Sequence, residues 1–523
     1  MKLITTLVFG IASAAISHAQ LQEACINVTA GFLNTSQAGV VQTPDGGFVT
    51  AGRHEPINTG SYHVGVTKLD ANGVLQWMKY YVGGSGIDWP MAVINTSDGG
   101  LAVAGVSDNM GARGMFILKL DASGDEQWTK AYTSAGFGLQ LNSNSFIQMA
   151  DGGFAMVGSP GFGQDGWHFL RTDAVGDLLW SDRMDFDPNI PTDVGELPNG
   201  DLVYTGWGGD EAFVMRKDGL TGTNEWMNWY GATEPYIYPH ALVVGPDSTI
   251  VIAGLIAAAP LASYDAFAFA VDADGTPGWF SRISGADVER ADDIALHPAG
   301  GYVLCSNVQS SADLTIYLSG FAARLDSSGQ LLWSKRITSP DVLQERFERC
   351  AVTADGGILL ADQNTQVLVK LDPNGNTCPY CPSTDAGTLV SVVPTLLPDE
   401  GTSTFGPWAT PATLTFTVSD VTGTAAYSIC GTSGVEDLAG TSTASIAPNP
   451  FSRSAVLTFD PARITGEAWI ELRDVLGRVV QRQRVVGQSN TIDRANLAEG
   501  SYAWCVIDAS GIIASGKVEV VND

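Results

Sequence analysis

The chain has 523 residues, 45% of them hydrophobic, enough for several buried cores rather than one. Acidic residues outnumber basic ones 56 to 27, and the resulting net charge of −29 repels phosphate backbones and anionic lipid. That argues against nucleic-acid binding and against polybasic attachment to membranes.

Residues 1–19 read as a signal peptide. Lys2 supplies the charged start, 3–16 form an apolar run, and Ser17-His18-Ala19 is a small-x-small cleavage site, so the mature chain starts at Gln20. The run is shorter than the ~20 residues a bilayer needs, and no later segment is long and apolar enough to span. The expectation is an exported protein with no transmembrane segment.

From there to residue 382 one pattern recurs seven times. Its first turns are Asp45-Gly46-Gly47, Asp98-Gly99-Gly100, Asp151-Gly152-Gly153, Asn199-Gly200, Asp247-Ser248, Ala299-Gly300-Gly301 and Asp355-Gly356-Gly357. A second turn follows in each copy, as in Asp121-Ala122-Ser123-Gly124, and leads to Trp77, Trp128, Trp180, Trp226, Trp279 or Trp333. Asp accepts backbone hydrogen bonds to start such a turn, and Gly supplies the positive φ that ends it. Units near 50 residues with two or three hairpin turns hold four short antiparallel strands, and four strands repeated radially make a β-propeller blade. The fold class expected is all-β, a seven-bladed β-propeller over 20–382.

The seventh copy stops after Leu371-Asp372-Pro373-Asn374-Gly375 without its Trp-bearing strand. The segment Ala24-Cys25-Ile26-Asn27-Val28-Thr29 sits before Asp45 at the offset a fourth strand has elsewhere, so the N-terminus is expected to complete the last blade. Disulfides are permitted in an exported chain. Cys25 falls opposite Cys378 and Cys381, either of which would lock the ring, leaving Cys430 for the partner left over. Cys305 and Cys350 lie on neighbouring blades as a bridge or as two buried thiols. Cys378-Pro379-Tyr380-Cys381 has the C-x-x-C spacing of redox and zinc sites, but there is no thioredoxin-like context and no second ligand pair. No metal is assigned.

Beyond Pro382 the composition turns to Thr, Ser and Pro. Residues 383–430 read as a small β appendage and 431–445 as a linker. From 446 onward come Ala447-Pro448-Asn449-Pro450-Phe451, then Ile470-Glu471-Leu472-Arg473-Asp474-Val475-Leu476-Gly477-Arg478, Leu497-Ala498-Glu499-Gly500-Ser501-Tyr502 and Gly516-Lys517-Val518. This segment resembles the type A C-terminal sorting domain of the type IX secretion system. The resemblance implies an immunoglobulin-like β-sandwich, with Pro448, Asn449, Pro450, Gly477, Arg478, Gly500, Tyr502 and Lys517 as its signature. It also implies contact with the secretion machinery and attachment to surface lipopolysaccharide once the tail is removed, hence an extracellular or outer-membrane-surface location.

Chemistry is harder to read. Asp218-Gly219-Leu220-Thr221-Gly222-Thr223-Asn224-Glu225-Trp226 resembles the docking motif of pyrroloquinoline-quinone-type propellers, in which the Trp packs between blades. Those enzymes carry adjacent cysteines under the quinone, and this chain has none, so no cofactor is assigned. A sialidase reading is opposed by a turn one residue longer than an Asp-box. Asp70-x-Asn72-Gly73 and Asp272-x-Asp274-Gly275 offer too few oxygens for calcium and read as hairpins. No nucleophile elbow appears, and no catalytic residue is assigned.

Residues seven to ten before each first turn enter the innermost strand and ring one mouth of the channel. They are Gln37, Asp88, Trp89, Asn142, Asn144, Thr192, Tyr238, His240, Arg290, Asp292, Arg346 and Glu348. These vary while the turns stay alike, and a mixed polar and aromatic rim suits a glycan or protein ligand. Trp207 and Trp229 read instead as packing between blades. The function expected is a surface-attached, non-catalytic binding module, with an extracellular hydrolase or lyase using mouth carboxylates as the alternative.

Overall fold

Each Asp–Gly turn closes a hairpin through its own carboxylate. Asp45 Oδ1 accepts the Gly47 N–H at 3.0 Å, and Asp98 Oδ1 accepts that of Gly100 at 3.1 Å. A basic residue on the third strand then reaches the same carboxylate, Lys68 to Asp45 at 2.7 Å and Lys119 to Asp98 at 2.8 Å. The second turns are equally self-sufficient. Asp70 accepts N–H groups from Asn72 and Val74, and Asp272 those of Asp274 and Thr276, which accounts for these carboxylates as hairpin formers.

The structure, a computed structural model, describes residues 24–27, 33–55, 62–110, 113–133, 139–160, 167–184, 189–231, 236–257, 264–285, 287–310, 317–337, 347–362 and 367–377. It also describes seven short strands between 383 and 428, and residues 445–458, 467–473, 479–494, 497–508 and 511–521. The chain divides into two units, 1–431 and 432–523.

In the first unit every repeat is a meander of antiparallel strands. Blade 1 runs through Leu33–Gln42, Phe48–Glu55, His63–Leu69 and Leu75–Val82. The first described strand, Ala24–Asn27, pairs with Val367–Leu371 and completes blade 7, with Ile26 opposite Leu368 and Cys25 opposite Val369. An apolar cluster fills each seam between neighbouring blades, and the seventh joins Phe48 and Leu69 of blade 1 to Leu359 and Leu368 of blade 7. Seven seams for seven blades close the ring. Both faces of a blade are therefore covered, which is why second strands such as Leu101–Ser107 are buried at every position instead of alternating.

The tryptophans of the outer strands lock the seams. Trp180 donates from Nε1 to the Gly219 carbonyl of the next blade at 3.0 Å, and Trp226 does the same to Ala273 at 3.1 Å. The ring of Trp180 lies on Gly222, whose φ is +75° and where a Cβ would come within 2.8 Å of the indole.

Residues 383–430 depart from the expected appendage. The seven described strands between 383 and 428 form no sheet with one another; each instead adds a fifth strand to a blade, in reverse order around the ring. Ser383–Asp385 pairs with blade 6, Thr388–Ser391 with blade 5, Thr395–Leu397 with blade 4 and Phe405–Gly406 with blade 3. Thr410–Ala412 then pairs with blade 2, Thr417–Asp420 with blade 1, and Tyr427–Ser428 with the closing strand Ala24–Asn27. The physical reason is the open edge. An outer strand presents unpaired N–H and C=O groups, and any short extended segment satisfies them by backbone pairing alone.

The second unit is a sandwich of a three-stranded and a four-stranded antiparallel sheet. Phe451, Leu457, Ile470, Leu472, Tyr502, Trp504, Val506 and Val518 make its core. Among the sorting residues, Tyr502 donates to the Ala498 carbonyl at 2.8 Å, while Gly477 and Arg478 lie outside the described residues.

Candidate functional site

The innermost strands line the channel, and most carry a one-residue irregularity halfway along. In blade 5 this lies between Pro239 and Ala241, so His240 is the extra residue and turns away from the ladder. In blade 6 the inner strand breaks into Val288–Glu289 and Asp293–Leu296, with Arg290 and Asp292 in the break. His240 Nδ1 lies 2.5 Å from Asp292 Oδ1, Arg290 Nη2 donates to the same oxygen at 3.0 Å, and Ser306 Oγ donates to Oδ2. Burial alone would raise the Asp292 carboxyl, but Arg290, His240 and Ser306 outweigh it and hold it well below the usual carboxylate range. A charged carboxylate only accepts, so Nδ1 of His240 carries the proton of this bond, and Nε2 is the ring nitrogen that Asp292 does not engage.

Above this group is a cleft of about 310 Å³ lined by Trp207, Tyr238, His240, Leu255, Tyr264, Arg290 and Gln309. It is built where blades 4, 5 and 6 meet. Trp207 stands edge-on to Tyr238 with centroids 4.8 Å apart, and Tyr236 stacks beside Tyr238 at 6.4 Å. Tyr238 donates to Asp210 at 3.3 Å, and burial together with that carboxylate pushes its phenol up to about 12. Two of these rings thus present fixed, uncharged faces.

Of the residues expected at the mouth, the structure brings together Tyr238, His240, Arg290 and Asp292. Asp88 is fully buried instead and acts as a latch at the start of blade 2. It accepts from Gly83 N–H at 3.0 Å, Ser107 Oγ at 2.6 Å and Asn109 Nδ2 at 2.9 Å. Trp89 is half-buried against the blade 2–3 cluster, with the Arg113 guanidinium 4.4 Å over its ring. Thr192 donates to the Thr205 carbonyl at 3.3 Å, and the Glu348 carbonyl accepts from Arg349. The side chains of Gln37, Asn142 and Asn144 and the whole of Arg346 lie outside the described residues, as do the side chains of Cys25, Cys378, Cys381 and Cys430. The sulfurs of Cys305 and Cys350 are not bonded to each other in this structure.

Trp207, Leu255, Tyr264 and Gln309 were not among the expected mouth residues, and Trp207 is a wall of the cleft rather than seam packing. The signal that finds three of them is the forward offset. Trp207, Leu255 and Gln309 lie eight to ten residues after their first turns, where the second strand rises to the same mouth.

Residues 445–518 match the secretion system C-terminal sorting domain family. No curated protein matches the sequence. Among solved structures, the WD40 β-propeller domain of Doa1 is 12% identical over 68% of this chain and 97% of its own, with a TM-score of 0.42. A Bacteroides caccae protein of unknown function is 11% identical over 60% of this chain and 93% of its own, with a TM-score of 0.35. A single-residue mutant of the NanB sialidase from Streptococcus pneumoniae is 7% identical over 66% of this chain and 68% of its own, with a TM-score of 0.34. No helix among the described residues is long and apolar enough to cross a membrane. The molecule is an all-β protein, a β-propeller carrying a type IX secretion C-terminal sorting domain that marks it for export to the cell surface or extracellular space.

Proposed function

We propose that the cleft between blades 4, 5 and 6 binds a saccharide and that the protein is a non-catalytic recognition module displayed outside the cell. One observation carries this: aromatic walls stand over a histidine whose Nδ1 is committed to Asp292. A sugar ring offers an apolar C–H face for Trp207 and Tyr238 and hydroxyls, which both donate and accept, for Nε2 of His240. Arg290 and Gln309 bring N–H groups to the same rim. A purely apolar ligand would leave this polar floor unmatched.

The sorting tail supports the remaining parts of the reading, namely engagement of the type IX machinery through 446–523 and attachment to surface lipopolysaccharide after its removal. The repeats are quinoprotein-like in our reading, supported by the tryptophan rings seated on the glycines of the following blade.

The test is a saccharide array probed with the exported protein. A hit whose Kd rises at least about tenfold in Trp207→Ala and His240→Ala supports the cleft, since buried aromatic contacts carry most of a binding energy. Unchanged affinity in both variants overturns it. The alternative, a hydrolase or lyase, has the His240–Asp292 pair in its favour as a base. It requires turnover by the wild-type protein that His240→Ala abolishes.

A further inference from the structure

Cys305 lies on the second strand of blade 6, Tyr302–Gln309, and Cys350 on the innermost strand of blade 7, Phe347–Val352. Asp293 holds the two strands in fixed relation. It sits opposite Cys305 in the ladder, and its Oδ2 accepts the Cys350 N–H at 2.9 Å. The two sulfurs and a carboxylate oxygen of Asp293 all fall within 4.8 Å of one another. Cys305 is buried in the apolar seam with Ile337, Phe347, Ile358 and Val369, and Cys350 is half-buried against the same cluster.

These three side chains are the one group among the described residues with a ligand set close enough for a metal. The geometry favours a different product. Both Asp293 oxygens already accept backbone N–H groups, from Ile294 and from Cys350, and the Arg349 charge acts on the same carboxylate. A cation would have to displace those bonds in a dry seam and find a fourth ligand there. Two adjacent thiols need only lose two hydrogens, and export delivers them to a setting in which cystine persists.

We propose that Cys305 and Cys350 form a disulfide across the seam between blades 6 and 7, with an oxidised dithiol as the oxidant. The more exposed Cys350, as thiolate, attacks one sulfur of the oxidant's disulfide, forming a mixed disulfide and releasing one thiolate. Cys305 then loses its proton and attacks the Cys350 sulfur, forming the intramolecular bond and releasing the second thiolate. The protein loses two electrons and two protons, and the oxidant leaves as a dithiol. Burial pushes the Cys305 thiol well above its ordinary range, so this second step belongs to folding, before blade 7 docks, and the folded reduced protein reacts slowly.

The experiment is mass spectrometry of the exported full chain, denatured and alkylated without reduction, then digested. The expected result is a Cys305 peptide joined to a Cys350 peptide and lighter by two hydrogens than the pair of free thiols. The Cys305→Ser/Cys350→Ser double variant should lose this species and melt roughly 2–5 °C lower. Alkylation at both positions, linkage of either to another cysteine, or one zinc per chain with both thiols retained would each overturn the proposal. Should the double variant fail to fold, the wild-type peptide map alone decides.

Discussion

Asp193 on the inner strand of blade 4 accepts the backbone N–H of Leu242 on the inner strand of blade 5 at 2.8 Å, and also the N–H of Val194 at 2.8 Å. Asp293 repeats the arrangement two blades on, with Cys350 and Ile294 as donors. One carboxylate thus satisfies two donors and ties the inner strands of adjacent blades together. Asp193→Ala orphans both N–H groups and should lower the unfolding free energy by roughly 2–4 kcal/mol in denaturant titrations. A loss below about 0.5 kcal/mol would mean that water replaces the carboxylate.

Stability should fall as the pH rises from about 4.5 to about 7. Burial pushes the Glu289 carboxyl from its ordinary 4.5 to about 7, against the Gly285 N–H at 2.9 Å and the Arg336 guanidinium. The folded state therefore holds the proton more tightly than the unfolded chain. The stabilisation is complete below about 4.5 and is lost as the pH rises through about 7. Between about pH 5 and 9 the gap between wild type and Glu289→Gln should move against the wild type by up to ~3 kcal/mol. A gap independent of pH would show that Glu289 is already charged throughout.

Two glycines separate backbone strain from packing. Gly222 has φ +75° and would set a Cβ 2.8 Å from the Trp180 ring, whereas Gly200 has φ +89° and nothing within 4 Å. Gly200→Ala should cost about 1–2 kcal/mol from the left-handed backbone alone. Gly222→Ala adds the clash and should cost about 1–3 kcal/mol more. Equal losses in chemical denaturation would deny the tryptophan its docking role.

The returning segment makes a prediction about truncation. A chain ending at 431 keeps all seven fifth strands, while one ending at 382 uncovers an outer edge on every blade. The shorter protein should associate through those edges, visible as species above monomer mass in light scattering. A monomer with an unchanged melting temperature would show the fifth strands to be ornamental.

Much of the ring is legible in sequence because its turns have fixed chemistry. Asp45 and Gly47, or Asp121 and Gly124, leave few alternatives to a hairpin, and their spacing counts the blades. The closing strand is legible for the same reason, through the offset of Ile26 from Asp45. The returning segment is not, since strands of two to four residues such as Phe405–Gly406 carry no periodicity and pair through the backbone alone. Counting back from the turn locates Tyr238, His240, Arg290 and Asp292 but does not tell an open position from a sealed one. Asp88 is therefore a latch, not a mouth residue. Trp207 escapes such counting because a tryptophan at a strand end looks the same in sequence whether it faces a seam or a cleft.

The route of residues 383–428 sets how the molecule meets mechanical load. Tension applied near residue 431 arrives first at Tyr427–Ser428 on the closing strand, then at the segments on blades 1, 2, 3, 4, 5 and 6 in turn. A tethered protein pulled in optical tweezers should release several small steps before any blade opens, dissipating shear outside while the cleft keeps its shape. A first rupture that extends a whole blade would contradict this order.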